Sequence, residues 1–429
     1  MSRRRQRPRK TPMLGRFLGA VCGALALSTA APAAAKTWTY ETVTAAVAQR
    51  SGAADLADAA DRAERAAGRD LLQAYNPFLG LSHQQVVAPT SSGFTSEAED
   101  NLYVGQTFDL SFRRDTFAAS GDKRGAAARL QADALLRRHQ LRVTSLFAQG
   151  IAAQRRMQAV QAWQSTLQTM LRRMQARAAQ GDASTFDVMV VQRQLAQADL
   201  DAQRQQLQAR RVRAELAVWL DDDADALVLS GALAPPPAPA TGGDVDGHPS
   251  LSALQLQADA ARVERDGWSR SVIPPVTAQA GGRSVWTTQG FQPDEIGTGV
   301  LLQLQVPLPV FERREARQSR LGADADRWGA QHKLQKALLQ SRASSALVAW
   351  RSSLQALQTH QARAAHTTQL VSLAQAAWEG GELPLLSLLQ VERAVVDDEL
   401  LSIDLEEAAR QGQLTHDALA DAATQEKTP

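Results

Sequence analysis

The chain has 429 residues, of which 44% are hydrophobic but only 5% aromatic, and its formal net charge is +2. That charge includes a basic leader, Arg3-Arg4-Arg5 with Arg7, Arg9 and Lys10, so the remainder is near neutral or slightly acidic and gives no support to a nucleic-acid partner. The abundance of Ala, Gln, Leu and Arg suits long helices packed through small side chains and does not describe one compact globular core.

After the basic run come an apolar stretch from Phe17 to Leu27 and then Ala33-Ala34-Ala35, the layout of a secretory signal cleaved after Ala35. Cys22, the single cysteine, falls inside this leader, so the mature chain is expected to have neither disulfides nor thiolate chemistry. No later stretch of roughly 18 apolar residues remains to form a transmembrane helix, and any membrane contact is left to strands.

Residues 42–72 predict a helix that stops before Tyr75-Asn76-Pro77, since proline disfavours helix in the residue ahead of it. Residues 78–87 then alternate, with Leu79, Leu81, Gln85 and Val87 on one face and Gly80, Ser82 and Gln84 on the other. A loop is predicted from Pro89 to Asn101. Beyond it Leu102, Val104, Phe108 and Leu110 alternate with Tyr103, Gly105, Thr107 and Asp109. Residues 114–179 contain no proline and predict a helix roughly 100 Å long, closed by Gly181. Ser184 or Thr185 caps a returning helix over 186–220, which makes an antiparallel hairpin. Asp221-Asp222-Asp223 with Asp225 lack the glycine and glutamate of a calcium loop, having Ala226 and Ala232 there, and predict a solvated turn. Ala234-Pro235-Pro236-Pro237-Ala238-Pro239 and Gly242-Gly243 form a non-helical connector.

The chain then repeats itself in a constant register of 200 (381 − 181 = 264 − 64). Gly181, Asp182, Val188, Arg193, Asp199 and Leu200 recur as Gly381, Glu382, Leu388, Arg393, Glu399 and Leu400, and Glu64-Arg65 recurs as Glu264-Arg265. The second half predicts a helix over 251–271 and a strand with Val276, Ala278 and Ala280 on one face. After a loop, a further strand sets Val300, Leu302, Leu304, Val306 and Leu308 opposite Leu301, Gln303 and Gln305. A long helix over 312–378 follows, then Gly381, a first-turn Pro384 and a helix over 385–422. In each half the returning and opening helices, stacked end to end, match the long one in length. Tyr75, Phe78, Tyr103, Trp268 and Trp286 fall near strand ends, where interfacial aromatics are expected.

Each run is about the ten residues that a tilted strand needs to cross a bilayer. Four strands leave open edges whose backbone groups lipid cannot satisfy, so copies of the chain must close the sheet. Leu102, Val104, Phe108, Leu110, Val300, Leu302, Leu304 and Val306 are the expected lipid-facing set, and Ser82, Gln84, Thr107, Gln303 and Gln305 the expected lining of a wet lumen. The seven histidines lack zinc-site spacing, and no phosphate loop, nucleophile elbow or paired-carboxylate arrangement is present, so no catalytic, cofactor-binding or metal residue is assigned and no enzyme is expected. Asp397-Asp398-Glu399 and Glu406-Glu407 read as a solvated helix face or, multiplied by symmetry, as acidic rings.

The double repeat, the paired strands, the long helices and the motifs Gly181-Asp182-Ala183-Ser184-Thr185-Phe186-Asp187-Val188 and Gly381-Glu382-Leu383-Pro384-Leu385-Leu386-Ser387-Leu388-Leu389, the latter running into Gln390-Val391-Glu392-Arg393-Ala394, resemble the TolC-like outer-membrane efflux proteins (outer membrane factors), and among them the heavy-metal-efflux branch. The chain departs from that pattern in having Ser387 opposite Asp187 and no lipid-anchoring cysteine. The resemblance implies a mainly α protein with a transmembrane β-barrel portion. Two pseudo-repeats, each with two strands and long antiparallel helices, trimerise into a 12-stranded outer-membrane barrel that continues as a periplasmic α-helical barrel. It divides the chain into a signal peptide (1–35), a first repeat (36–233), a connector (234–247), a second repeat (248–423) and a tail (424–429). It further implies a passive exit duct, in a tripartite system, for small toxic solutes or metal cations. Gly181, Asp182, Ala183, Ser184, Gly381, Glu382, Leu383 and Pro384 would be the tips that meet a periplasmic membrane-fusion adaptor and an inner-membrane pump. The alternatives are a soluble periplasmic coiled-coil adaptor or structural protein, and the outer-membrane component of type I secretion.

Overall fold

The computed structural model describes residues 36–70, 75–91, 93–111, 113–240, 242–270, 273–289, 295–308 and 314–420; the expected signal peptide with Cys22, and residues 421–429, lie outside the described residues. Along the chain run β1 (Thr37–Trp38), α1 (Tyr40–Arg50), α2 (Ala53–Asp70), β2 (Phe78–Thr90), β3 (Gly93–Phe108), α3 (Arg114–Gln180), α4 (Thr185–Leu220), β4 (Val228–Leu229), α5 (Pro249–Arg270), β5 (Val276–Gln289), β6 (Glu295–Gln305), α6 (Glu315–Glu379) and α7 (Leu385–Leu419).

The two long helices have 67 and 65 residues, each roughly 100 Å of continuous helix. α3 folds back on α4 and α6 on α7, and α3 also packs against α7, α2 and α5. The opening helix of the first half is not continuous: Gly52, at φ +59°, breaks it into α1 and α2. Helices α4, α1 and α2, of 36, 11 and 18 residues, together nearly match the length of α3. Helices α7 and α5, of 35 and 22 residues, fall about two turns short of α6.

Where α2 crosses α3, backbone meets backbone. A Cβ on Gly68 would sit 2.7 Å from the Cα of Gly121, so neither position has room for a side chain. In the second half Trp268, expected at a membrane interface, is instead a buried residue of α5, packed at a tilt against Phe117 with ring centroids 5.1 Å apart and under the Arg317 guanidinium at 4.0 Å.

The four long strands form one antiparallel sheet in the order β2-β3-β5-β6, which leaves β2 and β6 as edges. The loop expected from Pro89 to Asn101 is mostly strand, because β2 runs to Thr90 and β3 starts at Gly93. Its ladder is held by polar cross-strand pairs, such as Glu99 with Arg283 at 2.9 Å and Gln85 with Ser96 at 3.1 Å, so it carries no apolar signature. Pro89 is tolerated because an edge strand need not donate every backbone N–H.

The main core lies midway along the helices and gathers Trp38, Val43, Val143, Phe147, Leu216 and Leu229 around the small parallel pair β1–β4. The acidic run after α4 anchors this core: Asp222 accepts from the Trp38 indole at 2.9 Å, and Asp221 pairs with Arg50 at 2.6 Å. Arg410 of α7 donates to the carbonyl oxygens of Ala232, Leu233 and Ala234 at 2.8, 3.1 and 2.8 Å, which staples the connector to the second hairpin.

Candidate functional site: an apolar sheet face and paired helical tips

Strand register builds one face of the sheet from the residues expected to meet lipid. Leu79, Val104, Ala280 and Leu302 stand side by side across the four strands, and the next row is Leu81, Leu102, Gly282 and Val300. These apolar side chains are uncovered, with Leu81 76% and Val300 80% exposed. Phe108 shares the face as the partner of Val276. Leu110 and Val306 are exposed too, but both lie just past the ends of their strands. A row of His83, Asp100, Ser284 and Thr298 closes the apolar band on the hairpin side, with His83 Nδ1 2.6 Å from Asp100.

The opposite face is polar. Thr107, Thr277 and Gln305 form one row, with a 2.9 Å bond between the two threonine hydroxyls, and Gln279 and Gln303 sit in the next. Ser82 and Gln84 belong to this face, as expected. So do Phe78 and Tyr103, which pack edge to face at 6.3 Å over Gly105 and Gly80; neither joins Trp286 on the apolar side.

At the far end of the helices the two hairpin turns use the same device. Gly181 and Gly381 adopt φ of +84° and +77°, and the next amides, of Asp182 and Glu382, each donate at 2.8 Å to the carbonyls of Arg177 and Ala377. Gly181, Asp182, Ser184, Gly381, Glu382 and Pro384 are exposed, while Ala183 and Leu383 turn halfway into a shared apolar cluster. That cluster draws Leu167, Met174, Val191, Ala374, Leu388 and Leu389 from all four helices, so both turns rest on one core.

The caps differ between the halves. Ser184 accepts from the Asp187 amide at 3.1 Å while Asp187 Oδ2 accepts from the Ser184 amide at 3.3 Å, a reciprocal capping box. Pro384 is the N-cap itself rather than a first-turn residue, and it has no side-chain cap. A proline has no N–H for a carboxylate at position 387 to accept, which accounts physically for Ser387 standing opposite Asp187. Sequence reasoning missed the exposed apolar residues beside the tips, Phe186, Met189 and Leu386. The signal was present, since Phe186 and Leu386 are themselves 200 positions apart.

Two arginines of α3 lie beside four of the acidic residues of α7. Arg155 pairs with Glu406 and lies 3.5 Å from Glu399; Arg156 reaches Asp404 and Glu407, both at 2.5 Å. Burial opposes the charge on Arg156, but the Asp404 and Glu407 carboxylates outweigh it and raise the guanidinium above its usual range. Asp398 accepts from Thr367 at 2.9 Å, and Asp397 pairs with Arg393 at 2.9 Å. Among the described residues no helix is long and apolar enough to cross a membrane.

No protein-family model matches the sequence, and no curated protein matches it. Solved structures do match in shape. A membrane protein from Pseudomonas aeruginosa is 17% identical with a TM-score of 0.68, over 89% of this chain and 93% of that one. The outer membrane protein VceC of Vibrio cholerae is 15% identical with a TM-score of 0.64, over 89% and 95%. The MtrE outer membrane channel of Neisseria gonorrhoeae, in its open state, is 12% identical with a TM-score of 0.61, over 88% and 87%. The chain has the fold of the TolC-like outer-membrane efflux channels.

Proposed function

We propose that the mature chain is the outer-membrane exit duct of a tripartite export system. Three copies complete a twelve-stranded barrel, and their hairpins continue it through the periplasm to tips that meet a membrane-fusion adaptor and an inner-membrane pump. Residues 1–35 direct secretion, and the two repeats, 36–233 and 248–423, act as equivalent staves about the connector at 234–247. Small toxic solutes or metal cations pass through a wet lumen, and the pump supplies the work.

The observation that supports this reading best is the sheet: an uncovered apolar face, a polar face behind it and two unpaired edges. In water such a face and such edges are a liability; in lipid the apolar face is satisfied, and closure with further copies pairs the edges. A soluble coiled-coil protein has no use for either feature. Replacing Gly181 and Gly381 together by Val tests the docking tips. Export, read as resistance of the cell to the exported solutes, should be lost while a detergent-resistant trimer remains in the outer-membrane fraction. Normal export by that variant would refute docking at the tips, and a wild-type protein that stays a dissolved monomer without detergent would refute the duct.

A further inference from the structure

A groove of about 580 Å³ runs between α3, α6 and α7, with Glu392 on its wall two turns into α7. Trp163 and Thr166 of α3, Val371 and Gln375 of α6, and Glu392 and Val396 of α7 line it. Its size is that of a site for a drug-sized molecule, roughly 300–1,000 Å³. Glu392 is only 7% exposed. One carboxylate oxygen, Oε1, accepts from Gln375 Nε2 at 3.0 Å, while Oε2 is buried with no hydrogen-bond partner among the described residues. The adjacent Arg393 does not serve it, being directed to Asp397 at 2.9 Å and Asp201 at 3.5 Å. A second lining carboxylate, Glu399, has Arg155 no nearer than 3.5 Å.

A buried carboxylate with an unpartnered oxygen is costly, and a cation bound beside it offsets that cost. A neutral apolar molecule would cover the walls and leave the Glu392 charge uncompensated. A hard metal ion needs about six oxygen ligands, and among the described residues no group of three or more His, Cys, Asp or Glu is placed to hold one. An organic ammonium ion meets both requirements, with its charge beside the Glu392 carboxylate and an apolar body against Trp163, Val371 and Val396. We propose that this groove binds small lipophilic ammonium ions, with Glu392 as counter-ion and the Trp163 indole as wall. The inference rests on the groove alone and holds whether or not the chain is an export duct.

Calorimetric titration of the intact mature protein in detergent with 4-phenylbutylamine, and with 4-phenylbutan-1-ol as the neutral match, tests it. The amine should bind saturably at one site per chain, and the alcohol more weakly. Glu392→Gln keeps the shape and the Gln375 contact; it should weaken the amine by about tenfold or more and leave the alcohol unchanged. Ala162→Trp, which fills the groove from a lining position, should abolish amine binding. Absence of saturable amine binding to the wild type, equal binding of amine and alcohol, or undiminished amine binding to Glu392→Gln overturns the proposal. Should Glu392→Gln fail to fold, Ala162→Trp decides, because unchanged amine binding there overturns it equally. The readout is equilibrium binding, so its failure leaves the export reading standing.

Discussion

The Arg177 guanidinium lies 5.6 Å from the centroid of the Trp378 indole, which joins the last turn of α3 to the last turn of α6. Together with the apolar cluster beneath, this contact makes the two hairpin tips one mechanical end. Arg177→Ala should therefore loosen both. The loss at a half-exposed cation–ring contact is roughly 0.5–1 kcal/mol. Amide exchange should accelerate a few-fold around Gly181 and around Gly381 alike; acceleration confined to one turn would show that the tips move independently.

The capping difference gives a paired prediction. Ser184→Ala removes the hydroxyl that satisfies the Asp187 amide and should cost about 1 kcal/mol. Pro384→Ser combined with Ser387→Asp builds the same box at the second tip and should raise local stability by a similar amount. Exchange protection over the first turns of α4 and α7 reads both effects. Lower protection of α7 in the double variant would refute the capping account.

Tyr40 supplies a pH signature. Burial is the main cause that lifts its phenol from 10.0 to about 12, with Arg410 pulling it down and Glu407 adding to the rise. The folded state thus holds the proton more tightly than the unfolded state, so stability is intact below about pH 10 and falls as the pH climbs to about 12, by on the order of 2–3 kcal/mol in all. The hydroxyl is also buried without a hydrogen-bond partner among the described residues. Tyr40→Phe should therefore cost nothing at pH 7 and flatten the alkaline limb of a denaturant-midpoint profile. A parallel alkaline decline in the variant would assign that limb to another group.

Adjacent residues on β6 should respond in opposite ways. Leu302→Arg places a charge on the apolar face and should cost about 2–4 kcal/mol in a bilayer, whereas Gln303→Arg on the polar face should be borne. The yield of the heat-modifiable assembled form on gels compares the two. Equal yields would remove the distinction between a lipid side and a lumen side.

What was legible in the sequence was local. Gly181, Gly381 and Ser184 declare their turns because a left-handed backbone and a cap need particular residue types. Leu102, Val104, Leu302 and Leu304 declare a strand because one face is apolar throughout. Residues 93–101 did not, since their ladder is secured by pairs such as Glu99 with Arg283, whose partners lie far along the chain. The same distance hid the bond from Trp38 to Asp222, 184 positions away, and the pairing of Arg155 with Glu406, 251 positions away. Trp268 differs from expectation for a related reason: nearness to a strand in sequence is not nearness in space, and α5 carries it onto Phe117.

At the register position of Gly68 the second half has Trp268. One repeat is thus fastened to its neighbouring helix by bare main chain touching main chain, the other by an indole wedged between a phenyl ring and guanidiniums. Added salt screens a stacked cation without altering how closely two glycines can approach. The duplicated halves need not soften together, and the contact that yields first as salt is added should be the one with the ring.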